Sequence, residues 1–549
     1  MEKRLINKLL FINIFVFLLS PTLAFSQLGG QIHGNFQTDV YLYGEDSLIG
    51  ALMPSHKVGI MGYANFIYEL ENFSAGLRYE AYLNTPEGID PRYDGQGIPY
   101  RFLQYSKDNY KIVVGNFYEQ FGNGLVLRSY EDKTLGIDNS IDGILAHFSP
   151  TKGIMFKGLA GKQRFFWDKG AGIIRGIDGE VNMSELIKVF KSANLTFGAS
   201  VVSKYEADLD PIYKLPENVL AFSDRISFSY KNFVFQSEYV FKYNDPSSDN
   251  NFIYQNGEAL LFIASYTTKG FGIVTQTKSL YNMSFRSSRT ANLNNLSINY
   301  IPAISKTQSY SLASMYPYAS QSNGETGFQA DIFFKIPKKT KIGGKYGTNI
   351  SLNFSYVNSI KKTPISDTIL IGQSGTLGYN AELFTFGDEL YYRDFNVEVS
   401  KKFSKHLKTI FMFQNLFYNY KVLRGKMGEN VFANLGVADI TYRINYNNTI
   451  KTQLQALFTE QDYGDWAMGL FQYTFKRKWF VVFMDQYNYG NKDDKKRVHY
   501  YNFALGYTKG SGRIQLGYGK QREGMLCVGG VCREVPAMYG FTLSASVSF

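Results

Sequence analysis

From about residue 31 to the C-terminus the apolar residues recur at every second position, and this rhythm constrains the fold more than any motif in the chain. The closing stretch Met538–Phe549 shows it. Tyr539, Phe541, Leu543, Ala545, Val547 and Phe549 fall on one side of an extended strand, and Gly540, Thr542, Ser544, Ser546 and Ser548 fall on the other. Further back, Ile350, Leu352, Phe354 and Tyr356 alternate with Asn349, Ser351, Asn353 and Ser355. Tyr501, Phe503, Leu505 and Tyr507 alternate with Tyr500, Asn502, Ala504 and Gly506. Neither polar row suits a dry core, so the expectation is hydrocarbon on one face and water on the other.

The links between these segments sort by length. Short ones, such as 231–232, 267–270, 476–478 and 508–512, read as hairpin turns. Long polar ones lie between them, at 44–56, 86–98, 208–218, 244–251, 282–323, 359–387 and 490–497. Short turns on one rim and long loops on the other predict an all-β, antiparallel, up-and-down transmembrane barrel, with the short turns periplasmic and the long loops extracellular. The alternation gives about 24 strands, within roughly 20–26, and the even number puts both termini on the periplasmic side. A strand-built spanning protein must close on itself, because no backbone N–H or C=O can go unpaired in hydrocarbon. Two stretches, 120–140 and 282–323, either hide a strand or fold into the lumen.

The N-terminus reads as a secretory signal over residues 1–26, which leaves one barrel domain at 27–549. It has a positive n-region, MEKRLINK, then an apolar run, LLFINIFVFLLS, then Ala24 and Ser26 ahead of a cut before Gln27. The apolar run is shorter than the roughly 20 residues a spanning helix needs. Aromatics make up 16% of the chain, with 45 Phe, 42 Tyr and 3 Trp, a bias that suits strands and interfacial girdles. A mean hydropathy of −0.21 fits faces that alternate and cancel. The formal charge is +11, and it is spread along the chain instead of gathered in a basic helix, so nucleic acid is not an expected partner. Cys527 and Cys532, the two cysteines of CVGGVC, read as a disulfide pinning a hairpin with Gly529 and Gly530 at its tip.

The terminal aromatic and the alternate positions before it, Tyr539, Phe541, Leu543, Val547 and Phe549, resemble the end-signal that barrel-assembly machinery reads in outer-membrane proteins. The mature chain also resembles the large uncharacterised barrels of the Bacteroidota outer membrane, chiefly through GNFYEQFGNGLVLRSYEDKTLGIDNSIDG at 115–143. That resemblance implies an outer-membrane location and a barrel fold, and it carries no activity.

The 115–143 segment is also where charge concentrates. Glu119, Arg128, Glu131, Asp132, Lys133, Asp138 and Asp142 are candidates either for an inward-folded constriction that selects solutes by field, or for an extracellular loop whose charges pair with one another and with water. Gly122 and Gly124 are too loosely set for a phosphate cradle. Catalysis needs a nucleophile with a base, or a carboxylate–His pair. Of the five histidines, His33 falls on the lumen side of the first strand, His56 and His499 lie at strand mouths, and His406 lies in a turn. Neither these nor His147 carry a recognisable Ser or Asp signature, so no enzyme, metal or cofactor is expected. Strand pattern begins within a few residues of Gln27, which argues against the N-terminal plug of a TonB-dependent transporter and the periplasmic repeats of an insertase or two-partner secretor.

Two functions remain. The first is a porin-like solute channel with in-folded constriction loops; inner faces such as Arg225, Ser227 and Ser229, opposed to Ile226, Phe228 and Tyr230, suit water inside. The second is a non-conducting barrel subunit of a secretion, barrel-assembly or surface-attachment machine, with the Tyr- and Ser-rich loop 300–320 as a docking surface. Expected partners are outer-membrane lipid and lipopolysaccharide, the assembly machinery during biogenesis, and other outer-membrane proteins or lipoproteins.

Overall fold

The computed structural model describes residues 29–187 and 192–549; the expected signal segment 1–26 lies outside the described residues. The wall begins with β1 Gln31–Gly44, β2 Val58–Leu70, β3 Phe73–Leu83, β4 Gly95–Lys107, β5 Tyr110–Phe117 and β6 Ile141–Thr151. It continues with β7 Ile154–Phe165, β8 Ile173–Asn182, β9 Ala193–Tyr205, β10 Asn218–Tyr230, β11 Phe233–Lys242 and β12 Gly257–Thr268. Next come β13 Phe271–Tyr281, β14 Glu325–Ile336, β15 Thr348–Asn358, β16 Leu390–Lys402, β17 Leu407–Tyr418 and β18 Val431–Arg443. The last six are β19 Thr449–Phe458, β20 Trp466–Phe475, β21 Trp479–Tyr487, β22 His499–Lys509, β23 Gly512–Gln521 and β24 Met538–Ser548.

Each strand pairs antiparallel with its chain neighbours, and β24 pairs back onto β1, so the 24-strand ring has no free edge. At the seam Val40 stands opposite Leu543 and Tyr41 opposite Thr542. That register puts Tyr539, Phe541, Leu543 and Val547 outward and turns Thr542, Ser544 and Ser546 inward. Phe549 extends the seam by one residue, its backbone N–H and C=O each paired with Gly34 at 3.0 Å. Around the last five strands Phe471, Phe483, Phe503, Leu516 and Phe541 stand 45–51% exposed at one level. A continuous apolar belt of this kind is unfavourable in water and favourable against acyl chains. The barrel is of outer-membrane type.

The loops sort onto two rims as the link lengths predict. Two-residue turns at 71–72, 108–109 and 231–232 share the turn rim with both ends of the described chain. They open on Glu71, Asp108 and Lys231 at φ 51°, 43° and 51°, the left-handed backbone that tight hairpins use. Two links on this rim are longer than the pattern predicts. Residues 183–192 begin with one helical turn, Met183–Leu186, and 337–347 is rich in Lys and Gly, a composition that stays solvated without strand pairing.

The interior departs from the water-filled expectation. Asn353 and Ser355, from a row judged too polar for a dry core, are 2% and 0% exposed. Their polar atoms are satisfied within the protein. Asn353 Nδ2 donates to Asp331 Oδ1 at 2.8 Å, and its Oδ1 accepts from Asn396 Nδ2 at 3.2 Å. The sequence rhythm identifies the inner face correctly and says nothing about what covers it. The cover is chain: residues 118–140 and 282–324 leave the loop rim and fold into the lumen, and neither contributes a wall strand.

Two apolar clusters seal these segments to the wall. In one, Phe121, Leu125, Phe285 and Ile298 pack on Ile174, Val202 and Leu280. In the other, Ile304, Leu312, Met315 and Tyr316 pack on Met412, Leu416, Leu435 and Leu457. The filling is concentrated towards the loop rim. On β10, Val219, Ala221 and Ser223 are buried, whereas Ser227 and Ser229, nearer the turn rim, are not.

Candidate functional site

The charges of 118–140 mostly hold that segment in place. Glu119 accepts from His147 Nε2 at 2.8 Å and from Lys157 Nζ at 2.9 Å, both lumen-facing on neighbouring strands. Burial pushes its carboxyl up, but these hydrogen bonds outweigh burial and hold it at about 2, well below the ordinary value. Glu131 pairs with Arg78 Nη1 at 2.8 Å. Asp138 accepts from Arg164 Nη1 at 2.7 Å, from Tyr118 at 3.0 Å and from Arg78. Arg78 and Arg164 also share Glu80 at 2.7 Å each, which makes a buried network of two guanidiniums and three carboxylates. Glu80, Glu131 and Asp138 bring carboxylate oxygens within 4.8 Å of one another, but the two guanidiniums already serve as their counter-ions, so the cluster is an ion-pair lock and not a cation cage.

The remaining sequence candidates do other things. Arg128 stacks its guanidinium 4.0 Å over the Tyr300 ring and 4.7 Å over Tyr130. Asp132 caps the following turn, accepting from Thr134 N at 2.9 Å and Leu135 N at 3.1 Å. Lys133 lies 3.9 Å over the Tyr63 ring and lines a cavity described below. Asp142 does not join the lumen group. It takes the opposite parity to the inward residues Ile141 and Gly143, and it pairs with Lys169 Nζ at 2.7 Å on the outer side of the loop rim. Sequence reading missed Arg78, Glu80 and Arg164; the signal for the first two was charge on the inward row of β3, which implies a buried counter-ion, and Arg164 lies on β7.

The 282–324 segment crosses the barrel. On one side Arg128 N donates to Ile298 O at 2.8 Å and Tyr300 N to Gly124 O at 2.9 Å, so it rests on 118–140. On the far side Leu312 N donates to Gln455 Oε1 at 3.0 Å and Tyr316 to Asp462 at 3.1 Å. Lys278 and Glu325, on the strands that launch and receive the segment, pair at 2.5 Å, and both are fully buried. Loop 300–320 therefore lies inside the barrel and is not a free extracellular docking surface.

A third element, the hairpin Gly524–Val528/Val531–Val535, folds over the crossing segment. Cys527 and Cys532 face each other across it and are disulfide-bonded. Its tip is seated by Tyr300, whose hydroxyl donates to Gly529 O at 2.6 Å, and by Ser320 N, which donates to Gly530 O at 3.1 Å. Asn294 Nδ2 donates to Cys532 O at 2.8 Å.

Two cavities remain on the side the segments leave unfilled. The inner one, 610 Å³, is walled by β1, β2 and β21–β24 and by Ser311, Ser314 and Lys133; Gln37, Asp39 and Asn502 meet Met61, Met484 and Met538 there. The outer one, 430 Å³, opens among Tyr420, Arg424, Asp462, Tyr463 and Glu523. Glu87, Arg522, Gly524, Val535 and Pro536 line both, so the two cavities are adjoining chambers separated by the stem of the hairpin.

A family model described as "Family of unknown function (DUF6029)" matches residues 2–549. The chain belongs to the DUF6029 family. No curated protein matches this DUF6029 member significantly. Among solved structures it is similar to the P pilus usher PapC translocation pore, with TM-score 0.45 and 9% identity over 94% of this chain and 99% of that one. It is also similar to the siderophore receptor PirA from Pseudomonas aeruginosa, with TM-score 0.40 and 9% identity over 94% and 80%. OccAB4 from Acinetobacter baumannii matches with TM-score 0.34 and 10% identity over 84% and 100%. Likenesses this distant carry no role over to the DUF6029 barrel.

Among the described hydrogen bonds, the histidine rings that have partners meet Glu119, Arg443 O and Asp485 and not a hydroxyl. His499 does have a carboxylate partner that sequence reading did not find, Asp485 at 2.6 Å, and it stacks on Tyr487 at 4.0 Å. Both residues take the outward parity on their strands, opposite to the cavity-lining Met484, Gln486 and Asn502.

Proposed function

We propose that this protein is an outer-membrane conduit of restricted bore, which lets small polar solutes pass through the side of the lumen that the in-folded segments leave unfilled. One observation carries the reading: the 610 Å³ and 430 Å³ chambers adjoin at Glu87, Arg522, Gly524, Val535 and Pro536, and their walls mix polar, charged and methionine side chains. A wide general pore would have no use for two apolar clusters sealing in-folded segments to its wall. On this reading the chain is exported by its N-terminal signal into a Bacteroidota-type envelope, is inserted by the assembly machinery, and sits among lipid and lipopolysaccharide. It needs no cofactor and performs no catalysis.

The sealed crossing segment itself favours a second reading, a non-conducting barrel that serves as a subunit of an outer-membrane machine together with other outer-membrane proteins or lipoproteins. Conductance in planar bilayers separates the two. A conduit gives small, resolvable unitary currents that rise several-fold when 300–320 is deleted. Silence from folded wild type and from the folded deletion, with other envelope proteins retained through purification, would discard the conduit and leave the subunit.

A further inference from the structure

The arginines of the lumen differ in their partners. Arg128 stacks on Tyr130 and Tyr300, and Arg533 donates to Thr134 O at 2.7 Å and to Gly88 O, so both are satisfied without a carboxylate. Arg78, Arg164, Arg225, Arg286 and Arg289 each have a carboxylate partner. Arg424 and Arg522, which both line the 430 Å³ outer chamber, form no ion pair with any described carboxylate. Arg522 stacks loosely, 5.9 Å over the Trp466 ring, and among the described residues its guanidinium makes one long hydrogen bond, 3.4 Å to Glu523 O. Arg424 Nε is buried and has no hydrogen-bond partner, and Trp466 Nε1, beside Arg522, is likewise buried and unpartnered.

Buried donors are nearly always satisfied, so two orphaned donors beside guanidiniums without an ion-pair partner are a deficit of acceptor. The acidic group nearest to them in the chamber, Asp462, already accepts from Tyr316 at 3.1 Å, and burial pushes its carboxyl up, which weakens it as a counter-ion. The other carboxylates are spoken for or peripheral. Glu534 pairs with Lys426 at the rim, Glu523 accepts from Tyr463 at 2.8 Å, and Glu87 is exposed. What the pair lacks is an oxyanion, and guanidiniums bind carboxylate or phosphate through forked, charge-assisted hydrogen bonds.

We infer that the outer chamber is a binding site for a small oxyanion-bearing solute, a carboxylate or a phosphate ester of about monosaccharide size, held between Arg424 and Arg522. The inference rests on the conduit reading for its purpose, since it makes the chamber the place where solute is selected before it passes Arg522 into the inner chamber. It does not need conduction in order to be tested. The chamber's volume falls within the usual range for small-molecule sites.

Isothermal titration of the full chain in detergent, with glucose, glucuronate and glucose 6-phosphate as probes, decides it. Glucuronate, glucose 6-phosphate or both bind at least about ten-fold more tightly than glucose, and R424Q and R522Q each weaken that binding by roughly ten- to a hundred-fold, the span expected for losing charge-assisted hydrogen bonds. K492Q, which removes an exposed charge of the loop rim away from the chamber, stays within about two-fold of wild type. R522K keeps the charge without the fork, so it falls between wild type and R522Q; it also serves if R424Q loses the heat-modifiable gel mobility of a folded barrel. The inference is overturned if glucose binds as well as the anions, if no probe binds folded wild type at millimolar concentration, or if folded arginine variants bind like wild type. A barrel that binds the anions and carries no current would sink the conduit and keep the site; one that conducts without anion binding would do the reverse.

Discussion

The hydroxyl of Tyr300 donates to the carbonyl of Gly529 across 2.6 Å, joining two residues 229 positions apart. Tyr300 belongs to the segment that crosses the lumen and Gly529 to the disulfide-bonded hairpin laid over it, so this contact ties the cover to the filling. Gly529 is left-handed at φ 58°, and a Cβ placed there would lie 2.1 Å from the Tyr300 hydroxyl oxygen. Conformation and space both demand glycine.

Gly529→Val is therefore expected to unseat the hairpin while leaving the wall intact, at a cost of about 1–3 kcal/mol confined to the loops. Protease added to the folded barrel in detergent should cut within 524–535 and 300–320 far faster than in wild type, with unchanged heat-modifiable mobility. Equal cutting rates would show that the tip contact does not hold the segment.

Glu119 makes the filling sensitive to acid. Its carboxyl is held at about 2 against an ordinary 4.5, so it stabilises the folded state fully above pH 4.5 and loses that contribution as pH falls from 4.5 towards 2. The amount is on the order of 3 kcal/mol, as an upper figure for a group coupled to His147 and Lys157. Thermal unfolding followed against pH should show a fall in this window for wild type. Glu119→Gln should start lower at neutral pH and fall less steeply; parallel curves for the two proteins would contradict the role.

Lys278 and Glu325 bracket the crossing segment as a fully buried pair at 2.5 Å. Lys278→Met leaves a carboxylate without its counter-ion and should cost about 3–5 kcal/mol. The double variant Lys278→Met with Glu325→Gln should recover much of that, because neither charge is then stranded. A double-mutant cycle on thermal midpoints reads the difference, and additive losses would mean that the pair is not coupled.

The seam offers a test of the outer face. Leu543 and Ser544 are adjacent on β24 and take opposite parities. Leu543→Arg faces acyl chains and should lower folding stability in bilayers by about 2–4 kcal/mol, while Ser544→Arg, facing the lumen, should cost far less. Folding titrations in urea with phospholipid vesicles measure both, and equal penalties would contradict the assignment of faces.

Much of the wall was legible in the sequence, and little of the filling was. Alternation from Gln31 to Phe549 gave the inner and outer faces, the even strand number and the sorting of link lengths, because the period of two is set within each strand by backbone geometry alone. The seven charges singled out in 115–143 were half of a set. Six of them lie along the in-folded segment, but the partners that explain several of them, Arg78, Glu80, His147, Lys157 and Arg164, sit on three different wall strands, and Asp142 faces outward.

What the sequence alone determined is a closed ring with hydrocarbon outside, since a local rhythm and the need to pair every backbone group in lipid leave no other arrangement. Only the tertiary structure decided that the ring is filled. Residues 118–140 and 282–324 carry no period, and whether such a segment waits in water or folds inward depends on matching it to wall residues on other strands, as Glu119 is matched to Lys157 and Leu312 to Gln455. That complementarity is a property of the assembled surface, and no single stretch of chain contains it.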